Sequence, residues 1–328
     1  MNDMRTRLFA VLATCTLALG GAPAAAYAQP HDHHGHDSIR YASIKSCAGK
    51  DSQARPCGDW RLVMHSGEQR TLSDAQGVAL DAKGKSSRYL PAAIAVSGDG
   101  QKIAYFTKAG RLAVRTLGGG VELLAKDALP RVGQYEVALM LSDDGARLAA
   151  VIDGGKPVET RIFDTATGAL LGTVPADLTV MGFSADGGEV LTSLQTDEAV
   201  TDLAVYSDGG DQLARISPPQ LVASNGPQAL AADGRTVANV VTGAKTELIT
   251  YDVSSDEVTG RKKIKLPAGE IHMIDWTGET QVTLHLIRYQ ASGNRMTIVQ
   301  IDTETGAVKV RDRYPLLKDT FVFAACGG

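Results

Sequence analysis

The sequence predicts an all-β fold, a β-propeller of four-stranded blades, and three observations lead to that prediction. Five segments place an apolar run, a turn rich in Asp and Gly, and a second apolar run in the same order. Their turns begin at Ser97, Ser142, Ser184, Ala231 and Trp276, which lie 45, 42, 47 and 45 residues apart. No amphipathic helical stretch separates the repeats. This period without helices is typical of propeller blades.

Two kinds of turn divide the repeats into strands. Asp-Gly between apolar runs is the strongest short-range hairpin signal, because the tight turn needs a positive φ that Gly adopts without steric cost. A second kind of turn follows a further strand-like run, as in FDTATGALLGTV, YDVSSDEVTGRKKIKL and IDTETGAVKVR, which contain Asp164, Asp252 and Asp302. Each repeat is therefore predicted to be a meander of four short strands.

The two ends of the chain predict closure of the ring. The run from Trp60 to Ser73 aligns with the outer half of a blade, whereas the run from Thr320 to Gly328 is strand-like but has no blade of its own. We expect the C-terminal run to complete the first blade, since ring closure leaves no terminal blade uncovered. This gives six blades. The run IRYASIK, from Ile39 to Lys45, leaves seven as the alternative count.

The turn segments also carry a resemblance to a known family. SGDGQKIAYF and SDDGARLAAV resemble the strand-turn-strand of WD40-like propellers of the TolB type, and the D-x-x-T-G turns resemble those of secreted bacterial propeller repeats. The resemblance covers roughly residues 59 to 325 and implies a propeller fold. It leaves the function open, because propellers include enzymes, receptors and scaffolds. An envelope-associated accessory role is one function that it implies.

The N-terminal residues predict export. A basic start is followed by the apolar run LFAVLATCTLAL and by small residues ending in Ala26-Tyr27-Ala28, which is the pattern of a signal peptide covering residues 1–28. The apolar run is too short to predict a membrane span. We expect a secreted protein, with a lipid anchor through Cys15 as the alternative.

Charge and cysteine content set further expectations. The formal net charge is −4, and no long basic run is present, so the sequence offers no footprint for nucleic acid. Export permits a disulfide, and Cys47 and Cys57 bracket a short polar loop, which makes them the simplest pair. Cys326 is then a free thiol, or else the partner of either upstream cysteine.

The segment HDHHGHD contains the main candidate metal ligands, His31, His33, His34 and His36. Short His-rich tracts bind Zn, Cu or Ni. In residues 29–38 no apolar residue anchors the tract, so we expect weak binding at most, and a solvated spacer is the alternative. The tight square-planar mode of an N-terminal His is blocked because Pro30 has no amide proton. No other cofactor is predicted.

No motif predicts a catalytic residue. GFSAD approaches the nucleophile elbow, but Ser184 lies in a strand-to-strand turn rather than a strand-to-helix turn. His272, His285 and Asp275 lie close together in the last predicted blade and are a conceivable His/His/Asp site. Strand alternation, however, places His272 and Asp275 on opposite faces of their strand, which weighs against this site. The pair Asp143 and Asp144 is explained by the preference of hairpin turns for Asp.

The sequence therefore favours a secreted, non-catalytic binding module formed by residues 39–328. We expect a monomer with an unknown protein or cell-envelope partner, contacted through the loops at one mouth of the channel. The alternative is a propeller enzyme, of hydrolase or lactonase type, with a site assembled in the channel from several blades. A second alternative is weak extracytoplasmic metal binding by the N-terminal tract.

Overall fold

A computed structural model describes residues 38–49, 53–196 and 200–327 of the chain. It consists almost entirely of short antiparallel strands. In chain order, the first half comprises β1 (Ile39–Ala48), β2 (Ala54–Met64), β3 (Gln69–Leu72), β4 (Val78–Leu80), β5 (Ser86–Pro91), β6 (Ile94–Val96), β7 (Lys102–Phe106), β8 (Leu112–Thr116), β9 (Val121–Leu123), β10 (Val137–Leu141), β11 (Arg147–Ile152), β12 (Thr160–Asp164) and β13 (Leu170–Val174).

The second half of the chain continues in the same way. Its strands are β14 (Thr179–Phe183), β15 (Glu189–Gln195), β16 (Thr201–Ser207), β17 (Gln212–Ile216), β18 (Gln228–Leu230), β19 (Thr236–Val241), β20 (Glu247–Asp252), β21 (Glu257–Lys263), β22 (Glu270–Trp276), β23 (Gln281–Arg288), β24 (Arg295–Asp302), β25 (Val308–Pro315) and β26 (Thr320–Ala325). The helical elements described are the 3₁₀ turn Gln134–Glu136 and the helix α1 (Gln220–Ala223).

These strands form a six-bladed propeller of four-stranded sheets. Blade 1 has the strand order β26-β1-β2-β3, and blades 2 to 6 are β6 to β9, β10 to β13, β14 to β17, β18 to β21 and β22 to β25. The inner strands are β26, β6, β10, β14, β18 and β22. The predicted fold class and the count of six are therefore confirmed. The run IRYASIK belongs to β1 of blade 1, so it does not add a seventh blade.

The predicted closure is present in blade 1. Strand β26 pairs antiparallel with β1, and Tyr41 lies opposite Ala325 in the register. Beyond the sheet hydrogen bonds, Arg61 Nη1 donates to Asp319 Oδ1 at 2.9 Å, and the backbone N–H of Cys326 donates to the carbonyl of Arg40 at 3.1 Å. The last strand is therefore held to the first part of the chain by backbone and side-chain contacts.

The apolar core is divided among the six junctions between neighbouring blades. Each junction holds one cluster of buried residues, such as Ile44, Trp60 and Tyr105 between blades 1 and 2, or Trp276 and Leu284 between blades 5 and 6. Burying one such large apolar side chain stabilises a fold by roughly 1.5–3 kcal/mol. No blade can bury both of its faces alone, so stability depends on the closed ring.

Two details differ from the sequence prediction. The hairpin of β4 and β5 interrupts the repeat between blades 1 and 2, and its backbone is held to blade 3 by a hydrogen bond from Leu80 N to Gln134 Oε1 at 2.9 Å. In blade 6 the inner strand ends at Trp276, so the turn equivalent to that of Ser97 begins one residue later than predicted, at Thr277. Within the described residues, no helix is long and apolar enough to cross a membrane.

Candidate functional site: the central channel and its acidic face

One face of the propeller is formed by the tight turns that follow each inner strand. In blade 2, Ser97 Oγ donates to Asp99 Oδ1 at 2.5 Å, and the same carboxylate accepts the Gln101 N–H at 2.9 Å. Asp144 and Asp186 accept the equivalent hydrogen bonds in blades 3 and 4, each from the first serine of its turn and from a backbone N–H. These serines and aspartates satisfy the backbone of their own turns, which explains why they recur in the sequence.

Neighbouring turns on this face are joined to each other. The N–H of Asp99 donates to the carbonyl of Asp143 at 2.9 Å, and the N–H of Ala185 donates to the carbonyl of Leu230 at 3.1 Å. Lys102 Nζ of blade 2 also donates to the carbonyl of Gly145 in blade 3 at 3.1 Å. The turns of blades 2 and 3, and those of blades 4 and 5, are therefore joined along the rim at this end of the channel.

The turns of this rim carry mainly negative charge, which basic side chains from the adjoining strands offset in part, since Arg147 pairs with Asp208 at 2.7 Å and Arg70 with Glu68 at 2.9 Å. We call it the acidic face, and define it by the turns after the first and third strands of each blade. Its acidic residues are Glu68, Asp99, Asp143, Asp144, Asp186, Asp208, Asp211, Asp233, Asp256, Glu279 and Glu304, whereas Arg235 is the only Lys or Arg in these turns among the described residues.

The opposite face carries charges of both signs. We call it the mixed face, and define it by the connections after the second and fourth strands of each blade. Its basic residues are Lys83, Lys85, Arg88, Lys108, Arg111, Lys126, Arg131, Lys156, Lys245, Lys265 and Lys318, and its acidic residues are Asp74, Asp81, Asp127, Glu136, Asp153, Glu159, Asp177 and Asp319, in the part of the chain that the structure describes.

A cavity of about 360 Å³ lies in the channel between the inner strands. Polar and apolar groups contribute about equally to its wall, and polar groups lie where the inner strands end at the acidic face. Among its lining residues are Met140, Met181, Phe183, His272 and Met273, together with Asp143 and Asp275. A pocket in which polar groups converge beside apolar surface is a candidate ligand site.

Asp143 and Asp275 are the charged groups of this cavity. The Oδ2 atom of Asp275 is buried and accepts no hydrogen bond from any described residue. Burial, and after it the charge of Asp143, raise the pKa of Asp275 well above its ordinary value. Asp275 therefore holds its proton to a higher pH than an exposed aspartate does.

Two glycines bring these carboxyl groups close together. A Cβ atom at Gly98 would lie 1.7 Å from Asp143 Oδ1, so that oxygen occupies the space a side chain would need. A Cβ atom at Gly327 would lie 3.2 Å from the Cα of Gly98 and 3.4 Å from Asp275 Oδ2. Asp143, Gly98, Gly327 and Asp275 thus lie next to one another.

The sequence interpretation of Asp143 as a turn residue is incomplete. Asp144 alone serves the turn, whereas Asp143 lines the channel. The signal was present in the repeat, because the positions equivalent to Asp143 are Gly98, Ala185, Ala232, Gly278 and Gly327. An Asp at that position is a departure from the repeat rather than part of it.

The histidines of blade 6 are arranged differently from the sequence expectation. The register of β22 shifts between Ile271 and Met273, so strict alternation does not hold there. The bulge places the His272 ring 5.2 Å from the Phe323 ring of blade 1. His285 is buried, and its Nε2 lies 3.1 Å from the carbonyl oxygen of Gly327. No group of three or more His, Cys, Asp or Glu that could hold a metal occurs among the residues described.

A thiol, an imidazole and a carboxylate meet between blades 1 and 6. Cys326 Sγ lies 3.9 Å from His65 Nε2, and His65 Nδ1 lies 3.9 Å from Asp312 Oδ2. This order of groups is that of a nucleophilic site. Cys326 is fully buried, however, and Asp312 lies 2.9 Å from Arg40 Nε. The group packs the two blades together and does not present its thiol to a substrate.

The remaining sequence candidates are placed as follows. Ser184 Oγ donates to Asp186 in a strand-to-strand turn, which confirms its structural role. Cys47 and Cys57 lie at disulfide distance, with their Cα atoms 6.0 Å apart, while Cys326 is unbridged. His31, His33, His34, His36, Cys15 and the predicted signal peptide lie outside the described residues.

Comparisons with known proteins give similarities of fold. No family model matches the chain, and no curated protein is similar to it. The similar structures include hydrazine synthase of Kuenenia stuttgartiensis, with 16% identity and a TM-score of 0.41 over 69% of this chain and 66% of that chain. TolB from Acinetobacter baumannii has 16% identity and a TM-score of 0.47 over 87% and 66% of the two chains.

The propeller domain of the trilobed protease from Pyrococcus furiosus has 13% identity and a TM-score of 0.47 over 84% of each chain. The protein thus spans about two thirds of the length of the first two structures. At this level of identity these are similarities among β-propellers, and the chain described here is a six-bladed member of that fold class.

Proposed function

We propose that this chain is a non-catalytic binding module that works outside the cytoplasm and contacts a protein partner of the cell envelope through its acidic face. The observation that carries the proposal is the difference in charge between the two faces. A surface of one sign attracts a partner of the opposite sign and speeds its association. The partner is therefore expected to present a basic surface.

The turns alone do not account for the negative charge. Asp99, Asp144 and Asp186 are needed to satisfy their own backbones. The exposed side chains of Asp211, Glu279 and Glu304 make no hydrogen bond or ion pair to any residue that the structure describes. These three carboxylates make no contact that stabilises the fold, so they are free to contact a partner.

Two further observations support a location outside the cytoplasm. The first 28 residues have the pattern of a signal peptide. Cys47 and Cys57 lie at disulfide distance, and disulfides persist mainly in oxidising compartments.

The test is site-specific photocrosslinking in the bacterium that makes the protein. A photoreactive residue at Glu304 probes the acidic face, and one at Tyr289, which is 60% exposed, probes the mixed face. We expect a defined crosslinked protein from position 304. The triple variant Asp211→Lys, Glu279→Lys, Glu304→Lys should slow its association by roughly 10- to 100-fold at low salt.

The matched control reverses three exposed charges of the mixed face, Lys126→Glu, Lys245→Glu and Lys318→Glu. This variant should keep the crosslinked protein. Crosslinking only from position 289, or loss of the partner in the mixed-face variant alone, would contradict the proposal.

One observation favours the enzyme alternative as a second candidate. Asp143 and Asp275 both line the channel cavity, and burial followed by the charge of Asp143 raises the pKa of Asp275, as is found for the proton donor of acid and base pairs. A hydrolase or lactonase would lose turnover of a lactone or ester panel in the Asp275→Asn variant. The binding module predicts no turnover in either protein.

A further inference from the structure

The cavity combines apolar side chains with polar groups, two of which are the interacting carboxyl groups of Asp143 and Asp275. Met140, Met181 and Met273 give flexible, polarisable surface, and Phe183 adds an aromatic ring. Such surfaces suit alkyl chains of varied shape. The volume of about 360 Å³ is within the range of small-molecule sites.

The repeat provides an internal comparison for the two acidic positions. The positions equivalent to Asp275 on the other inner strands are Ala95, Met140, Gly182, Ala229 and Ala324. The position equivalent to Asp143 is Gly or Ala in every other blade. The fold therefore closes its inner ring with small or apolar residues, and it does not require either carboxyl group.

The buried Oδ2 of Asp275 is the second and independent observation. Asp275 is among the lining residues of the cavity, and its buried Oδ2 accepts no hydrogen bond from a described residue. An unsatisfied buried polar atom costs about 1–3 kcal/mol in free energy. A ligand that donates hydrogen bonds and carries positive charge would remove that cost.

We propose that the channel cavity binds a monovalent organic cation, an alkylammonium or alkylguanidinium group, with its charged end between Asp143 and Asp275 and its alkyl chain along the methionines. A metal ion fits less well, because the described residues contain no group of three His, Cys, Asp or Glu that is placed to hold one. The exposed side chain of His272 also lines the cavity, which connects its wall to solvent.

The first experiment is calorimetric titration of the full-length mature protein with N-butylguanidine, which is a monovalent cation, and with N-butylurea as a neutral probe of the same shape. N-butylguanidine should bind and N-butylurea should not. Asp275→Asn and Asp143→Asn should each weaken N-butylguanidine binding on the order of tenfold or more, since a buried charge partner is lost. Glu279→Gln, an exposed carboxylate in the same blade as Asp275, should stay within about twofold of the wild type.

Proton release gives a readout that needs no variant. Burial raises the pKa of Asp275, so a cation that pairs with its carboxylate should displace a proton, which binding heats in two buffers of different ionisation enthalpy measure. The titratable groups that adjoin Asp275 are Asp143, His272 and His285. Binding should also tighten as the pH rises.

A blocked peptide, acetyl-glycyl-arginine amide, distinguishes the source of the cation. Binding of both N-butylguanidine and the peptide indicates that the side chain of a partner can enter, whereas binding of N-butylguanidine alone indicates a free small cation. Absence of N-butylguanidine binding, or equal binding to the wild type and the Asp275→Asn variant, would overturn the proposal. Either result leaves partner binding at the acidic face untouched, because Asp211, Glu279 and Glu304 do not line the cavity.

Discussion

The acidic face and the mixed face are built from the same strands, yet the packing of their connecting segments differs. Acidic-face turns repeat the same few residues and are joined by bonds such as Asp99 N–H to the Asp143 carbonyl. Mixed-face connections vary in length and include the inserted hairpin of β4 and β5. The comparison teaches that the repeat fixes one face as a rigid surface and leaves the other free to vary.

The sharpest way to test this difference is to substitute one glycine on each face of blade 2. Gly100 and Gly110 both adopt positive φ, at 67° and 80°. A Cβ at Gly100 would lie 2.5 Å from the Ile39 carbonyl oxygen, whereas a Cβ at Gly110 would meet nothing within 4 Å. Gly110→Ala should lower the free energy of unfolding by about 1 kcal/mol, and Gly100→Ala by about 3 kcal/mol or more.

Urea unfolding, followed by circular dichroism, measures both losses. Equal losses would show that the two faces are packed alike, and the comparison would then fail.

The second prediction concerns the covalent link between β1 and β2, at the mixed-face end of blade 1. The double variant Cys47→Ala, Cys57→Ala should lose about 2–3 kcal/mol in the free energy of unfolding, because the bond restricts the unfolded chain over a separation of 10 residues. Reductant should lower the free energy of unfolding of the wild type to that of the variant, and it should leave the value for the variant unchanged. Insensitivity of the wild type to reductant would exclude the bond as a source of stability.

The third prediction uses pH. In the unfolded chain Asp275 loses its proton near its ordinary pKa of about 4, whereas in the folded chain burial and Asp143 raise the pKa well above it. Between these values the folded state binds more protons, so this residue lowers stability as pH rises. The Asp275→Asn variant has no carboxyl group to ionise, so its free energy of unfolding should increase relative to that of the wild type as the pH rises above the ordinary pKa of aspartate.

The measurement is the melting temperature of both proteins from pH 4 to pH 8, with Glu279→Gln as the control. The melting temperature of Asp275→Asn should exceed that of the wild type by an amount that grows as the pH rises. A constant difference would show that the carboxyl titrates normally.

The smallest effect is expected from the N-terminal tract. Deletion of residues 29–37 keeps Ser38, whose carbonyl accepts the His65 N–H at 2.9 Å on the acidic face. We expect the unfolding free energy to change by less than about 0.5 kcal/mol. Elemental analysis of protein purified without metal-affinity steps should show Zn or Cu only when the tract is present. Stoichiometric metal that survives the deletion would place it in the propeller.

Local turn chemistry made the architecture predictable from the sequence. Ser97, Asp99 and Gly100 specify one turn without help from distant residues, and the same pattern recurs in later blades. The closing strand was predictable because an apolar run without a blade must pair somewhere. The inserted hairpin has no equivalent in the repeat, so periodicity gave no indication of it.

The channel pair was not predictable in the same way. Asp143 and Asp275 are far apart in the sequence, and only closure of the ring brings them together. The position of His272 depends on the bulge between Ile271 and Met273, which breaks the alternation that a sequence reading must assume. Both features arise from the tertiary structure rather than from local preference.

The pairing of β26 with β1 also has a consequence for biosynthesis. The strand that completes blade 1 is the last described strand to be made, so every other blade emerges before the ring is able to close. Until then the inner edge of β1 and one face of blade 6 remain open to unintended pairing. A chain that stops short of Thr320 lacks the closing strand altogether. Closure therefore acts as a check on completeness, since only chains translated through this strand reach the sealed state.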